Sequence, residues 1–152
     1  HDALPQRLAD LPQRAERAGA RLLQVAQADV GKSGPYDLVY CDAPCSGSGT
    51  WRRDPMGKWT LSEDGLADLL QLQAAILSEA ADLVGRNGTL GYITCSVLAE
   101  ENEDQVTRFV ENYPGWTCIR QERLQNPIPV KEKGHDPRPA FIRSIQTVRN
   151  RL

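Results

Sequence analysis

Two cysteines stand where a thiol could react. One lies in Asp42-Ala43-Pro44-Cys45-Ser46-Gly47-Ser48-Gly49-Thr50, the other in Tyr92-Ile93-Thr94-Cys95-Ser96, the two sulfurs' positions being 50 apart. Each segment follows an apolar run, Tyr36-Asp37-Leu38-Val39-Tyr40-Cys41 and Gly88-Thr89-Leu90-Gly91, that reads as a buried parallel strand. Ligands and reacting groups collect at the ends of such strands in open α/β sheets. A thiolate placed there is a nucleophile able to form a covalent intermediate. Asp42, at the end of the first strand, is a carboxylate able to hydrogen-bond what that thiol attacks, or to cap the following turn. Gly47-Ser48-Gly49 makes a loop that can approach a ligand closely.

The other two cysteines have a plainer reading. Cys41 and Cys118 lie inside apolar strands and are expected as small core residues. None of the four cysteines forms a CxxC pair, and His1 and His135 show no metal-ligand spacing, so a zinc site is not expected. The chain of 152 residues is one domain's worth, 40% hydrophobic and 25% charged. It holds no apolar run near the roughly 20 residues that a membrane span needs. His1 opens into a polar, helix-like stretch without a signal-peptide pattern. A cytoplasmic, reduced setting is the expectation.

Net charge is −2, but residues 120–152 carry eight Lys/Arg against three Asp/Glu, and the rest ten against seventeen. A basic tail of this kind either meets a phosphate backbone or is a solvated terminus.

Elements must position the two thiols. Leu4, Leu8, Leu11, Ala15 and Ala18 recur at helical spacing, with Pro12 placed to split or kink that helix and Gly19 to stop it. Arg21-Leu22-Leu23-Gln24-Val25 reads as a strand ending near Asp29. Residues 43–60 form a long loop, a length that usually serves function or is disordered. Ser62-Glu63-Asp64 caps a helix running through Leu66, Leu69, Leu70, Leu72, Ile76, Leu77 and Ala80 to Val84, and Asn87-Gly88 turns the chain into the second strand. Glu100 to Tyr113 is an amphipathic helix with Val106, Phe109 and Val110 on one side. There Glu100, Glu101 and Asn102 serve as helix-opening residues. Trp116-Thr117-Cys118-Ile119 is a further strand. After a proline-rich stretch (Pro127, Pro129, Pro137, Pro139), a last strand is assigned around Phe141–Val148. Strands alternating with helices predict an α/β sheet with parallel strands and crossover helices.

Taken as a pair, the two cysteine segments resemble the signature of RNA cytosine-5 methyltransferases of the Nol/Nop/Sun type, in particular those acting on 16S ribosomal RNA. Trp51-Arg52-Arg53-Asp54-Pro55-Met56-Gly57-Lys58-Trp59 and Cys95-Ser96-Val97-Leu98-Ala99-Glu100-Glu101-Asn102 are similar to the family's segments as well. The resemblance implies a Rossmann-like S-adenosylmethionine-dependent methyltransferase domain. It also implies Cys95 as the nucleophile and Cys45 as the thiol that assists product release, with Asp42 completing the catalytic group. Cytosine is a poor nucleophile at ring carbon 5. Thiolate addition at carbon 6 makes carbon 5 reactive, given a proton or hydrogen bond at ring nitrogen 3 and a later base for the carbon-5 proton. Arg52, Arg53 and Lys58 suit phosphates. Trp51 and Trp59 suit either base stacking or packing of the loop.

For the methyl donor, the resemblance implies Asp2 at the ribose, Asp29 near the adenine, and Asp42 and Pro44 beside them. The family's Gly-rich turn belongs before Asp2, and its Asp-Gly-Phe-Phe stretch is not reproduced at Gly134-His135-Asp136-Pro137. The expectation is therefore a methyltransferase domain incomplete at its N-terminus, over residues 1–119, followed by a divergent basic, Pro-rich segment over residues 120–152. On its own it is expected to be inactive and to self-associate through an exposed sheet edge. The partner expected is RNA, ribosomal above all, with neither membrane nor metal. Transfer RNA as substrate, or a catalytically dead piece that binds RNA or a partner, are the alternatives.

Overall fold

The computed structural model describes residue 2, residues 4–125 and residues 142–151. The expectations for His1 and for residues 134–137 lie outside the described residues. The chain divides into two compact units, His1–Pro35 and Tyr36–Leu152.

In the first unit the expected Leu4–Ala18 helix is two pieces, a 3-10 turn at Pro5–Leu8 and α1 at Leu11–Arg17. Pro12 is the reason. It lacks an N–H and crowds the carbonyl four residues back, so it can sit only in a first turn, the place it takes in α1. Gly19 ends α1 with φ +65, a left-handed conformation that glycine enters without strain. The expected strand at Arg21–Val25 is not formed. Residues 20–26 adopt neither helix nor strand, Leu22 and Leu23 are exposed, and a 3-10 turn follows at Gln27–Ser33. An apolar run predicts a strand only where a neighbouring backbone completes its hydrogen bonds.

The second unit is built on a four-stranded sheet of β1 (Tyr36–Asp42), β2 (Val84–Thr94), β3 (Trp116–Gln125) and β4 (Ile142–Asn150), in the order β1-β2-β4-β3. β1 and β2 are parallel, and β4 runs antiparallel to both β2 and β3. So β1, β2 and β3 share one direction, as the alternation predicted. The all-parallel expectation fails at β4, which inserts between β2 and β3. Sequence periodicity marks a strand but carries no record of its direction or neighbours.

Helices α3 (Glu63–Ala81) and α4 (Glu103–Asn112) cross between these strands. α3 packs on β1 and β2, α4 on β3 and β4, and the two helices touch each other. Ser62 caps α3 as expected, its Oγ accepting from the Gly65 N–H at 3.0 Å, with Glu63 and Asp64 complementing the dipole. The core joins Leu77, Ala80 and Ala81 of α3, Val84, Leu90 and Tyr92 of β2, Val106 and Phe109 of α4, Trp116 of β3 and Val148 of β4. Burial of each large side chain contributes about 1.5–3 kcal/mol. Phe109 stacks on Tyr113 (4.6 Å) and meets Trp116 edge-on (5.3 Å), which fixes the end of α4 on β3. Cys41 and Cys118 are half-buried against this core, in keeping with their expected role.

Candidate active site

The β1–β2 ladder sets the geometry. Its register places Asp42 opposite Ile93, and the Ala43 N–H donates to the Ile93 carbonyl at 2.9 Å. Parallel strands paired to this point release both cysteine segments at the same sheet edge. Cys45 Sγ and Cys95 Sγ are consequently 3.3 Å apart, within hydrogen-bonding distance for sulfur.

Serines stitch the two segments together. Ser48 and Ser96 share a hydrogen bond of 2.9 Å, the Val97 N–H donates to Ser48 Oγ at 2.8 Å, and the Gly49 N–H donates to the Cys95 carbonyl at 2.9 Å. Gly47 makes the turn with φ +67. The expected long loop then holds a 3-10 turn at Ser48–Thr50 and the short helix α2 at Met56–Thr60.

Three buried polar side chains brace the thiols from beneath. Gln73 of α3, Glu101 and Asn102 are each fully buried. The Gln73 amide donates to the Pro44 carbonyl (2.9 Å) and to Glu101 Oε1 (3.0 Å). Glu101 also accepts from the Ser46 N–H (2.7 Å) and the Ser46 hydroxyl (2.5 Å). Asn102 accepts from the Thr94 hydroxyl (2.6 Å) and donates to the carbonyls of Ser96 (3.2 Å) and Leu98 (2.6 Å). Gln105 of α4 extends the chain, donating to Gln73 Oε1 at 3.1 Å. A buried carboxylate is tolerated when donors surround it.

These residues correct one sequence expectation. Asn102 opens the helix as its N-cap residue, its carbonyl accepting from the Val106 N–H at 3.2 Å, but Glu100 and Glu101 do not. Those two acids lie in a 3-10 turn (Ala99–Glu101), and α4 begins at Glu103, with Glu103 and Asp104 as the acids of its first turn. An acid before an amphipathic helix reads as a solvated cap. The signal for another role was its place in a segment already matched to the family motif.

Burial and contact shift two of the thiols. The pKa of Cys45 is raised well above the usual thiol range, first by its hydrogen bond with Cys95 and then by burial; backbone donors at Gly47 and Cys95 pull weakly the other way. Burial pushes Cys41 up to about 11. Cys45 is thus held protonated within hydrogen-bonding distance of Cys95, and either sulfur can be the donor.

Asp42 and Pro44 are exposed beside this pair, and Arg52, Arg53 and Lys58 are exposed on the loop that follows. Trp51 and Trp59, equivalent in the sequence, separate here. Trp51 Nε1–H donates to the Ser46 carbonyl at 3.3 Å, and its ring lies against Gly57. Trp59 is 76% exposed, with the Lys58 amine 5.7 Å from its ring. Asp2 and Asp29 belong to the first unit. Asp2 Oδ1 accepts from the Leu4 N–H at 2.7 Å, and Asp29 Oδ1 pairs with Lys32. Each contact engages Oδ1 of a two-oxygen group. Among the described residues no cluster of three metal-ligating side chains occurs, and no helix is long and apolar enough to cross a membrane.

Fold comparison gives the class first. The chain is similar to the crystal structure of PH0851 (TM-score 0.71, 30% identity, 97% of this chain and 35% of that one). It is also similar in fold to NSun6 from Pyrococcus horikoshii with SFG (TM-score 0.66, 20% identity, 99% and 40%). This is a Rossmann-like methyltransferase fold with a mixed sheet. The profile of the family described as "16S rRNA methyltransferase RsmB/F" matches residues 1–136, past the point near residue 119 where the motif resemblance stops. The chain belongs to that family. A probable ribosomal RNA small subunit methyltransferase B of Bacillus subtilis is 36% identical over 110 residues, 68% of this chain and 25% of the relative. The chain spans about a quarter of that relative's length.

Proposed function

We propose that this chain carries the catalytic edge of a methyltransferase acting on carbon 5 of a cytosine in RNA, ribosomal RNA above all, through a covalent cysteine adduct. The observation that carries the reading is the contact of Cys45 and Cys95 across 50 residues of sequence. Packing alone has no need to bring two thiols together past the ends of two neighbouring strands.

In this mechanism Cys95 adds to ring carbon 6, and the displaced electron pair makes carbon 5 nucleophilic. Asp42 faces the cytosine edge and supports the proton or hydrogen bond at nitrogen 3. Once carbon 5 carries the methyl group, a base from solvent takes the carbon-5 proton and the freed electron pair expels the Cys95 sulfur; Cys45 keeps its own proton and donates to Cys95 Sγ, which stabilises that sulfur as a thiolate both when it attacks and when it leaves. S-adenosylmethionine, when bound, supplies an electrophilic methyl group. Asp42 and Pro44 are the residues of the second unit that would hold it. Asp42 fits the task, because it is exposed. Arg52, Arg53 and Lys58 take the RNA backbone.

The test is made in a full-length protein that carries this sequence. Cys95→Ala abolishes methyl transfer. Cys45→Ala leaves addition possible and slows expulsion, so a denaturation-resistant protein–RNA band accumulates, and the double variant shows none. An adduct with Cys95→Ala and none with Cys45→Ala reverses the two roles. Transfer persisting in Cys95→Ala at about a tenth of the parent rate, a barrier change of only about 1.4 kcal/mol, removes Cys95 as nucleophile.

A further inference from the structure

The two thiols sit on different segments, yet the side chains that fix those segments are neighbours in sequence. Glu101 binds both the amide and the hydroxyl of Ser46, the residue after Cys45. Through Gln73 it is linked to the carbonyl of Pro44, the residue before Cys45. Asn102 does the equivalent for Cys95, taking the Thr94 hydroxyl on one side and holding the Ser96 carbonyl on the other. The Thr94 hydroxyl in turn accepts from the Ser96 N–H at 3.1 Å. Both clamps rest on one rigid base, since the Tyr92 hydroxyl donates to the Glu101 carbonyl at 2.9 Å and the Asn102 N–H to Ala99 at 3.0 Å. Each side chain acts on the residues flanking a sulfur.

We propose that Glu101 and Asn102 are positioning residues for the thiol pair, one fixing the turn around Cys45 and the other the turn around Cys95, so that their adjacency sets the sulfur–sulfur contact. A dipeptide is the shortest connection by which two turns can be held in fixed relation, because the peptide plane between them is rigid. A buried carboxylate bridging Ser46 and Gln73 has no other partner to serve among the contacts described. The assignment of attack to Cys95 belongs to the proposed function. The positioning role rests on that reading only for its consequence in catalysis, not for the geometry.

Site-resolved alkylation of the folded chain by iodoacetamide, read by peptide mass spectrometry with Cys41 and Cys118 as internal references, tests this. Alkylation rate follows thiolate fraction and access, so the unsubstituted chain should modify Cys95 about tenfold faster than Cys45. In Glu101→Ala and in Asn102→Ala that ratio should fall to within about threefold, as each sulfur titrates apart from the other. Glu101→Gln keeps a carbonyl for Ser46 and Gln73, and should hold the parent ratio. Should Glu101→Ala fail to fold, Ser46→Ala removes one of the bonds to the carboxylate and should still lower the ratio by about threefold, a fraction of the tenfold thiolate difference. A folded Glu101→Ala, or Ser46→Ala, with the parent ratio overturns the proposal. If the unsubstituted chain prefers Cys45 and Glu101→Ala abolishes that preference, positioning stands and the thiol roles of the proposed function are exchanged.

Discussion

A thiol 3.3 Å from a second thiol cannot ionise independently of it. Placing two negative sulfurs at that separation is costly, so the first proton lost leaves the second held more tightly. That contact and burial raise Cys45, and the proposed mechanism takes the charge on Cys95, the sulfur it needs as nucleophile. The same scale separates the tryptophans of the following loop. Trp51 is tied to Ser46 and packs on Gly57, so Trp51→Ala should loosen the loop and lower the melting temperature. Trp59 offers an open ring beside a lysine, the form of a stacking platform for an unpaired base. Trp59→Ala should weaken binding of single-stranded RNA about tenfold, in line with about 1–3 kcal/mol per stacked base, and leave melting unchanged. Anisotropy titrations at one fixed salt concentration check this; equal losses from both substitutions would deny Trp59 a distinct role.

At the scale of elements, the site depends on the register between β1 and β2. That register is interrupted once: Tyr36 faces Val84, and Leu38 already faces Thr89. The surplus on β2 is taken up where Asn87 adopts φ 60 and Gly88 follows. A Cβ at Gly88 would stand 2.6 Å from Val84, 2.8 Å from the Gly85 carbonyl oxygen and 3.0 Å from that of Tyr36. Two of those neighbours are backbone and cannot swing away, so Gly88→Ala should destabilise the fold by about 1–3 kcal/mol. At Gly91 the obstacle is the ring of Tyr40, itself exposed, and Gly91→Ala should cost less. Urea denaturation of both variants ranks them; a Gly88→Ala with parent stability would mean that the bulge is not a fixed feature. Much of this layer was legible in the sequence. The cap at Ser62, the split at Pro12, the apolar face of α3 and the two thiol-bearing strand ends all follow from local rules. The missing strand at Arg21–Val25, the direction of β4 and the burial of Glu101 were not legible, because each depends on which distant backbone or side chain arrives beside it.

For the molecule as a whole, the buried thiols couple stability to pH. Cys41 ionises at about 11 in the folded protein against an ordinary 9.0, because burial disfavours the thiolate. Cys45 is shifted the same way. Above pH 9 the unfolded chain releases these protons while the folded chain retains them, so the unfolded state binds fewer protons and unfolding becomes easier as pH rises. The stabilising contribution is fully present below pH 9, and the share from Cys41 is lost between pH 9 and about 11. That share amounts to about 1–2 kcal/mol once partial exposure of the group is allowed for. Other groups also ionise at alkaline pH, so the slope of the parent alone is not diagnostic. The comparison is with Cys41→Ala, which is less stable throughout for want of a core atom but cannot release that proton. The difference in unfolding free energy between the two proteins, measured by urea denaturation at pH 8, 9, 10 and 11, should narrow by about 1–2 kcal/mol across the window. A constant difference would show that Cys41 ionises in the fold as readily as in the open chain, and that the half-buried end of β1 is wetter than its packing against the core implies.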